Sequence, residues 1–234
     1  MKTLLPALLW LLALVPALAQ AQTEVRRVPS FRTLHVSNGI ELHLTAGEPQ
    51  RVEVTAERAE DQARITTTVS DGVLRVGFEQ DKSSWWGLGN NRHGRLRVYV
   101  TAAQLTGLKA SSGAELIVKG NYPTGDLNLE LSSGASLKGS FAASTMQAHL
   151  SSGSEAEVAG TTQRISVHTS SGSEFSGHRL QAAECQAETS SGASIAIAVQ
   201  NTLTAHASSG GSVSYSGSPQ VSKHTSSGGS VSGR

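Results

Sequence analysis

From residue 107 onward the chain alternates apolar and polar positions around a recurring Ser-Ser-Gly tripeptide. The tripeptide occurs seven times, at steps of 21, 19, 19, 20, 18 and 18 residues. Aligned on its first Ser, the position five before it holds Leu127, Met146, Ile165, Cys185, Leu203 and Val221. Three before stand Leu108, Leu129, Ala148, Val167, Ala187 and Ala205. One before stand Ala110, Leu131, Leu150, Thr169, Thr189 and Ala207. Polar residues separate these columns, so the period is 2, the mark of a strand with one buried face. The alternation resumes after the tripeptide, with Ala114 and Leu116, Ala135 and Leu137, and Ser173 and Phe175 facing inward. A period near 19 sustained over this length predicts one supersecondary unit per coil of a stack. Each coil should hold a strand, a Ser-Ser-Gly corner, a second strand and a looser return.

The corner follows from backbone geometry. Gly113, Gly134, Gly153, Gly172, Gly192, Gly210 and Gly228 are read as structural turns, because Gly reaches positive φ without steric cost. Coils in such a stack lie about 4.8 Å apart, so small residues prevent crowding where corners superpose. The Ser side chains are expected to bond nearby backbone and to bond up and down the stack. Inward residues are small, so the interior should be slim. Gly211, Gly229, Lys223 and Thr225 stand at inward positions of the last coils, where the stack is expected to taper.

The region before residue 107 is also β-rich, with strand patterns at 31–36, 40–45, 51–56, 65–69, 73–78 and 96–101. Ser37-Asn38-Gly39 reads as a variant corner, which adds Gly39 to the turn glycines. Asp71-Gly72 between two strands is a hairpin signal. Residues 56–63 allow one helical turn. This portion is expected to start and cap the stack, because an exposed first coil would offer unpaired strand edges. The fold class is therefore all-β, a right-handed parallel β-helix or solenoid. Residues 22–234 form one domain, with 22–106 as the N-terminal portion and 107–234 as the repeats.

The first residues change the picture of location. Lys2 precedes an apolar run from Leu4 to Leu18, and Ala17-Leu18-Ala19 is a small-x-small cleavage site, with a second at residue 21. This predicts a secretory signal peptide over 1–19. Nothing later is apolar for long enough to cross a bilayer as a helix, so the mature chain should be exported to the periplasm or the cell surface. Lys2 is the one charged residue removed, which leaves 18 basic and 18 acidic residues. A nucleic-acid partner, which needs a basic face, is not expected. The lone Cys185 falls in a core column and has no internal partner, so packing and hydrogen bonds must supply stability.

Taken together, these features make the chain resemble the putative auto-transporter adhesin, head GIN domain family of bacterial envelope proteins. The residues that carry the resemblance are Ser37-Asn38-Gly39-Ile40-Glu41-Leu42, the strand from Glu48 to Thr55, Val73-Leu74-Arg75-Val76, and the turns at Gly113, Gly134 and Gly153. It covers roughly residues 30–230 and implies a β-helix-like fold, a nominal adhesin role and no catalytic residues. A true autotransporter carries a C-terminal membrane barrel, whereas Ser232-Gly233-Arg234 follows directly on a repeat. Self-secretion is therefore not expected.

Three constellations are candidates for chemistry. An outward ladder two residues before each corner reads Lys109, Glu130, His149, His168, Glu188, His206 and His224, with His35 in the same place before Ser37. His168, Glu188 and His206 would be consecutive and are suitable ligands for Zn²⁺ or Cu²⁺. The preferred reading of the same ladder is a charge-paired solvent face; a pH-sensitive surface is a further one, because His titrates near neutrality. A second candidate is the loop at 81–94. There Trp85 and Trp86, with Arg92 and His93, could anchor an envelope glycan or protein. The third is the repeated Ser, but nucleophilic catalysis needs one activated hydroxyl with an ordered base, and seven copies of one pair point to a structural role. No enzyme activity and no cofactor are expected. An envelope interaction protein is the leading expectation. A structural or regulatory module that self-associates through solenoid edges is the alternative, and a polysaccharide-active β-helix enzyme the outsider.

Overall fold

The computed structural model describes residues 23–79 and 94–234. The expected signal peptide lies outside the described residues. The chain folds as a β-solenoid of about seven turns, with stacked parallel coils of about 19 residues. Its strands join one sheet. The N-terminal portion supplies β1 (Glu24–Arg26), β2 (Thr33–Val36), β3 (Glu41–Thr45), β4 (Arg51–Ala56), a short α1 (Ala59–Ala63), β5 (Ile65–Ser70), β6 (Val73–Phe78) and β7 (Leu96–Thr101). The repeats supply β8 (Gly107–Ala110), β9 (Glu115–Leu131), β10 (Ser136–Leu150), β11 (Glu155–Thr169), β12 (Glu174–Thr189) and β13 (Ser194–Ala207). The last coils supply β14 (Ser212–Ser216), β15 (Gln220–Thr225) and β16 (Ser230–Gly233).

The columns read from the sequence are the core. Leu129, Ala148, Val167, Ala187 and Ala205 are all fully buried and superpose through in-register parallel pairing. Two inward positions carry hydroxyls that bond to the preceding coil. Ser154 Oγ donates to Leu131 O at 3.1 Å and Ser173 Oγ donates to Leu150 O at 3.0 Å. Thr169 Oγ1 donates to Thr189 Oγ1, which in turn donates to Ala193 O, both at 2.9 Å. These buried polar groups are satisfied, as burial requires.

Each Ser-Ser-Gly corner is a type I′ turn, which needs positive φ at both central residues. Ser152 has φ 53° and Gly153 φ 69°, and Ser154 N–H donates back to Ser151 O at 3.3 Å. The second Ser of all seven corners lies between φ 47° and 55°, a region that the sequence reading assigned to Gly alone. The coils are also joined differently from expectation at the corners. The Gly153 N–H donates to Ser171 O of the next coil at 3.1 Å, and every corner but the last repeats this backbone bond. Among the described residues, no corner Ser hydroxyl bonds a corner Ser of the neighbouring coil. The backbone already fills that role, so the hydroxyls face outward.

The return is not loose. In β10 and β11 it pairs residue by residue, as in Phe141↔Gly160 and Ala143↔Thr162. The unequal coil lengths are absorbed by register shifts between Lys138 and Ser140, Glu157 and Ala159, and Gly177 and Gln181, with a further shift between Ala182 and Glu184 in β12. A second, glycine-containing corner sits here. Gly160 has φ 107°, and a Cβ on it would lie 2.0 Å from the Phe141 carbonyl oxygen. Gly139 and Gly177 leave the room that the buried Phe141 and Phe175 rings occupy.

At the N-terminal end the parallel stack gives way to antiparallel pairing. β2 pairs in parallel with β6 and β8, and β3 with β7 and β9. β4 then pairs antiparallel to β7, β1 to β4, and β5 to β6. Asp71 and Gly72, at φ 54° and 71°, form the β5–β6 hairpin turn. Asp61 of α1 is fully buried and accepts from Gly94 N–H at 2.9 Å and Arg58 Nε at 3.0 Å. At the other end, β15 and β16 carry mostly exposed residues.

Candidate functional site

The outward ladder runs continuously from coil to coil. A residue two positions before a corner points away from the core, and parallel in-register pairing sets its counterparts side by side. His35 lies opposite Arg75 on one side and Lys109 on the other. Lys109 is followed by Glu130, His149, His168, Glu188, His206 and His224 on successive coils. Arg75 was missed in the sequence, because β6 is not followed by a Ser-Ser-Gly corner. The match of Val73–Val76 to Thr33–Val36 is the signal that places it.

The rungs interact in order. Arg75 donates to His35 Nδ1 at 3.3 Å, and His35 Nε2 meets the Ser111 hydroxyl at 3.2 Å. Lys109 Nζ pairs with Glu130 at 2.7 Å. The His149 and His168 rings stack with centroids 4.9 Å apart and planes 7° from parallel. His168 Nδ1 lies 3.0 Å from Glu188 Oε2, and the His206 and His224 rings are 5.8 Å apart. Neutral neighbours hold the carboxylates from the side, Asn128 on Glu130 at 2.7 Å and Gln186 on Glu188 at 3.2 Å.

Beside the ladder runs a groove of about 1080 Å³. The first Ser of each corner forms its opposite wall, and Leu131, Leu150, Thr169 and Thr189 form its floor. Rungs from Arg75 to His224, spaced by about 4.8 Å, give a groove roughly 38 Å long. Burial and the adjacent cations Arg75 and Lys109 lower the pKa of His35 below its ordinary value. Burial acts to raise that of Glu130, but Lys109 and Asn128 outweigh it and hold the carboxyl below its ordinary range.

The other candidates are placed as follows. His168, Glu188 and His206 do occupy consecutive rungs. Their donors lie in a row, and among the described residues no group of three or more His, Cys, Asp or Glu side chains is set to hold a metal ion. Gly39, Gly113, Gly134, Gly153, Gly172, Gly192, Gly210 and Gly228 all have positive φ, and a Cβ on any of them would meet nothing within 4 Å. Trp85, Trp86, Arg92 and His93 lie outside the described residues. Cys185 is buried in its core column, and burial pushes its thiol pKa up to about 12. No helix among the described residues is long and apolar enough to cross a membrane.

Comparison with known proteins adds three findings. Residues 30–219 match the family model described as putative auto-transporter adhesin, head GIN domain. No curated protein matches the chain. Among solved structures, a putative adhesin from Bacteroides fragilis NCTC 9343 is similar at 15% identity and a TM-score of 0.77, covering 92% of this chain and 94% of that one. A putative adhesin from Parabacteroides merdae ATCC 43184 is similar at 17% identity and TM-score 0.71, covering 92% and 97%. A protein from Parabacteroides distasonis ATCC 8503, described as a putative lipid binding protein, gives 14% identity and TM-score 0.66 over 92% and 97%. At these identities the likeness is one of fold.

Proposed function

Since the chain belongs to the putative auto-transporter adhesin, head GIN domain family, we propose that it is a non-catalytic, exported cell-envelope protein that binds a glycan or protein partner along its ladder groove. The observation that carries this reading is the groove itself. It runs nearly the length of the stack, one face of it is a row of paired and unpaired charges, and the other is a row of outward hydroxyls. Directional polar groups at a fixed repeat suit an extended partner better than a compact one. The apolar leader at 1–19 supports export, and the family description supports an envelope or surface location. Trp85 and Trp86, with Arg92 and His93, supply a second contact region.

The test is pull-down of the purified mature chain with defined envelope fractions: isolated sacculi, outer-membrane glycan and solubilised envelope protein. His149→Ala/His168→Ala should weaken capture of one fraction without changing the far-UV circular dichroism. Trp85→Ala/Trp86→Ala should weaken it in addition. Capture that is indifferent to the groove variant would refute the groove as the binding surface. Protease treatment of intact and permeabilised cells separates a surface protein from a periplasmic one.

A further inference from the structure

We propose that the groove accepts a linear polyanion, and accepts it when its histidines are protonated, so that binding switches on as pH falls. This rests on the groove being the interaction surface. When the histidines are neutral, the cations Arg75 and Lys109 balance the carboxylates Glu130 and Glu188 along the groove wall. Protonation of His35, His149, His168, His206 and His224, all of which line the same wall, adds five positive charges and gives the wall a net excess of five, with Glu130 and Glu188 interspersed among them. Histidine is the side chain whose ordinary titration falls between about pH 5 and 8.

The surroundings add nothing that would cancel this change. The opposite wall is Ser, which does not titrate. The next outward positions on the same strands are Asn128, Gln147, Ser166, Gln186, Thr204 and Ser222, also neutral. Beyond them stand Asp126, Arg164 and Glu184, a fixed pattern across this pH range. Lys223 beside His224 is exposed and adds a cation at the open end. Burial and the cations Arg75 and Lys109 lower the pKa of His35, so its own charging is displaced to lower pH.

The geometry favours a polymer over a small anion. Protonated His168 gains Glu188 at 3.0 Å. A second proton on His149 then faces a parallel cationic ring at 4.9 Å, and an anionic chain lying across both rungs relieves that repulsion. A small anion meets two rungs, whereas a chain meets one further rung with each coil. The outward Ser hydroxyls offer neutral hydrogen-bonding partners to the same chain. A polycarboxylate sugar and a phosphate polymer share this chemistry.

The experiment measures binding of the intact mature chain to polygalacturonate, polyphosphate and neutral dextran by calorimetry, at pH 5.5 and 7.5 and low salt. Affinity for at least one polyanion should rise about tenfold or more at the lower pH and fall with added salt. Whichever polyanion responds identifies the source. His149→Gln/His168→Gln/His206→Gln should abolish the rise. His178→Gln, an exposed histidine away from the groove, should leave it intact. Glu188→Gln should give measurable binding already at pH 7.5, which a variant that had merely unfolded would not. Binding that does not depend on pH, or a rise that survives the triple substitution, overturns the proposal. Retained binding of dextran or of an envelope fraction at the groove would overturn the polyanion assignment and leave the interaction surface standing. Loss of both would remove the two together.

Discussion

Alanine at Gly160 and alanine at Gly153 should have very different consequences, although both glycines have positive φ. At Gly153 a Cβ meets nothing within 4 Å. The cost there is the left-handed backbone alone, about 1–2 kcal/mol. Stiffening of the unfolded chain returns about 0.4–1 kcal/mol of that. A net loss near 1 kcal/mol lowers Tm by roughly 2–4 °C in a chain of this size. At Gly160 the Cβ would lie 2.0 Å from the Phe141 carbonyl oxygen and 2.9 Å from its carbon and nitrogen. Relief requires moving backbone that is part of the β10–β11 ladder, in the Phe141↔Gly160 pair itself. A loss of about 3 kcal/mol or more is expected from that disruption, or roughly 6–12 °C. Thermal denaturation followed by circular dichroism ranks the two, and amide exchange shows whether protection is lost first around the second corner. A Gly160→Ala protein that melts with the wild type, while Gly153→Ala melts lower, would refute the assignment of the second corner as the sterically closed one.

Three further outcomes are expected. Ser152→Asn should raise Tm by about 1–4 °C, because Asn tolerates the left-handed region better than Ser and Asn-Gly is the favoured type I′ pair; Asn38 already holds this position in its own corner. Asp61 should contribute to acid lability. Burial opposes its charge, but Gly94 N–H, Arg58 and Arg64 outweigh this and hold its pKa below the ordinary 3.8. Its stabilisation is therefore complete above that value and lost as pH falls through the lower folded pKa. Asp61→Asn should flatten the stability-against-pH curve below about pH 4, and an unchanged curve in acid titration would contradict the burial argument. Cys185, its thiol pKa pushed up to about 12 by burial, should resist a thiol reagent such as dithionitrobenzoate in the native protein and react at once in guanidinium. Fast native labelling would mean that the core column opens.

Much of the fold could be read from residue order because its determinants are local and repeated. One strand pattern and one turn, copied at a near-constant step, leave few alternatives to a stack. The ladder was legible for the same reason, since a parallel register converts sequence offset into spatial neighbours. Three features were not legible. The second Ser of each corner adopts positive φ, which side-chain preference argues against; in every corner but the last, the backbone bond from the corner Gly to the next coil stabilises it. The second corner was hidden because a positive-φ glycine marks it in only some coils, at Gly120, Gly160 and Gly217. Arg75 was hidden because its rung comes from a strand without the tripeptide. In each case the deciding interaction lies between coils and has no signature within one.

The register shifts, all of which lie away from the Ser-Ser-Gly corners, have a consequence for how such a chain changes over time. Residues gained or lost there lengthen or shorten one side of a coil and leave the opposite side in step. Insertions can accumulate without breaking the spacing of the groove, and whole coils can be duplicated or deleted as units. Each duplication would extend the row by a single rung, about 4.8 Å, without altering the chemistry of the others. Contour length, and with it the number of simultaneous attachment points offered to a long partner, becomes a quantity that selection can adjust in discrete increments.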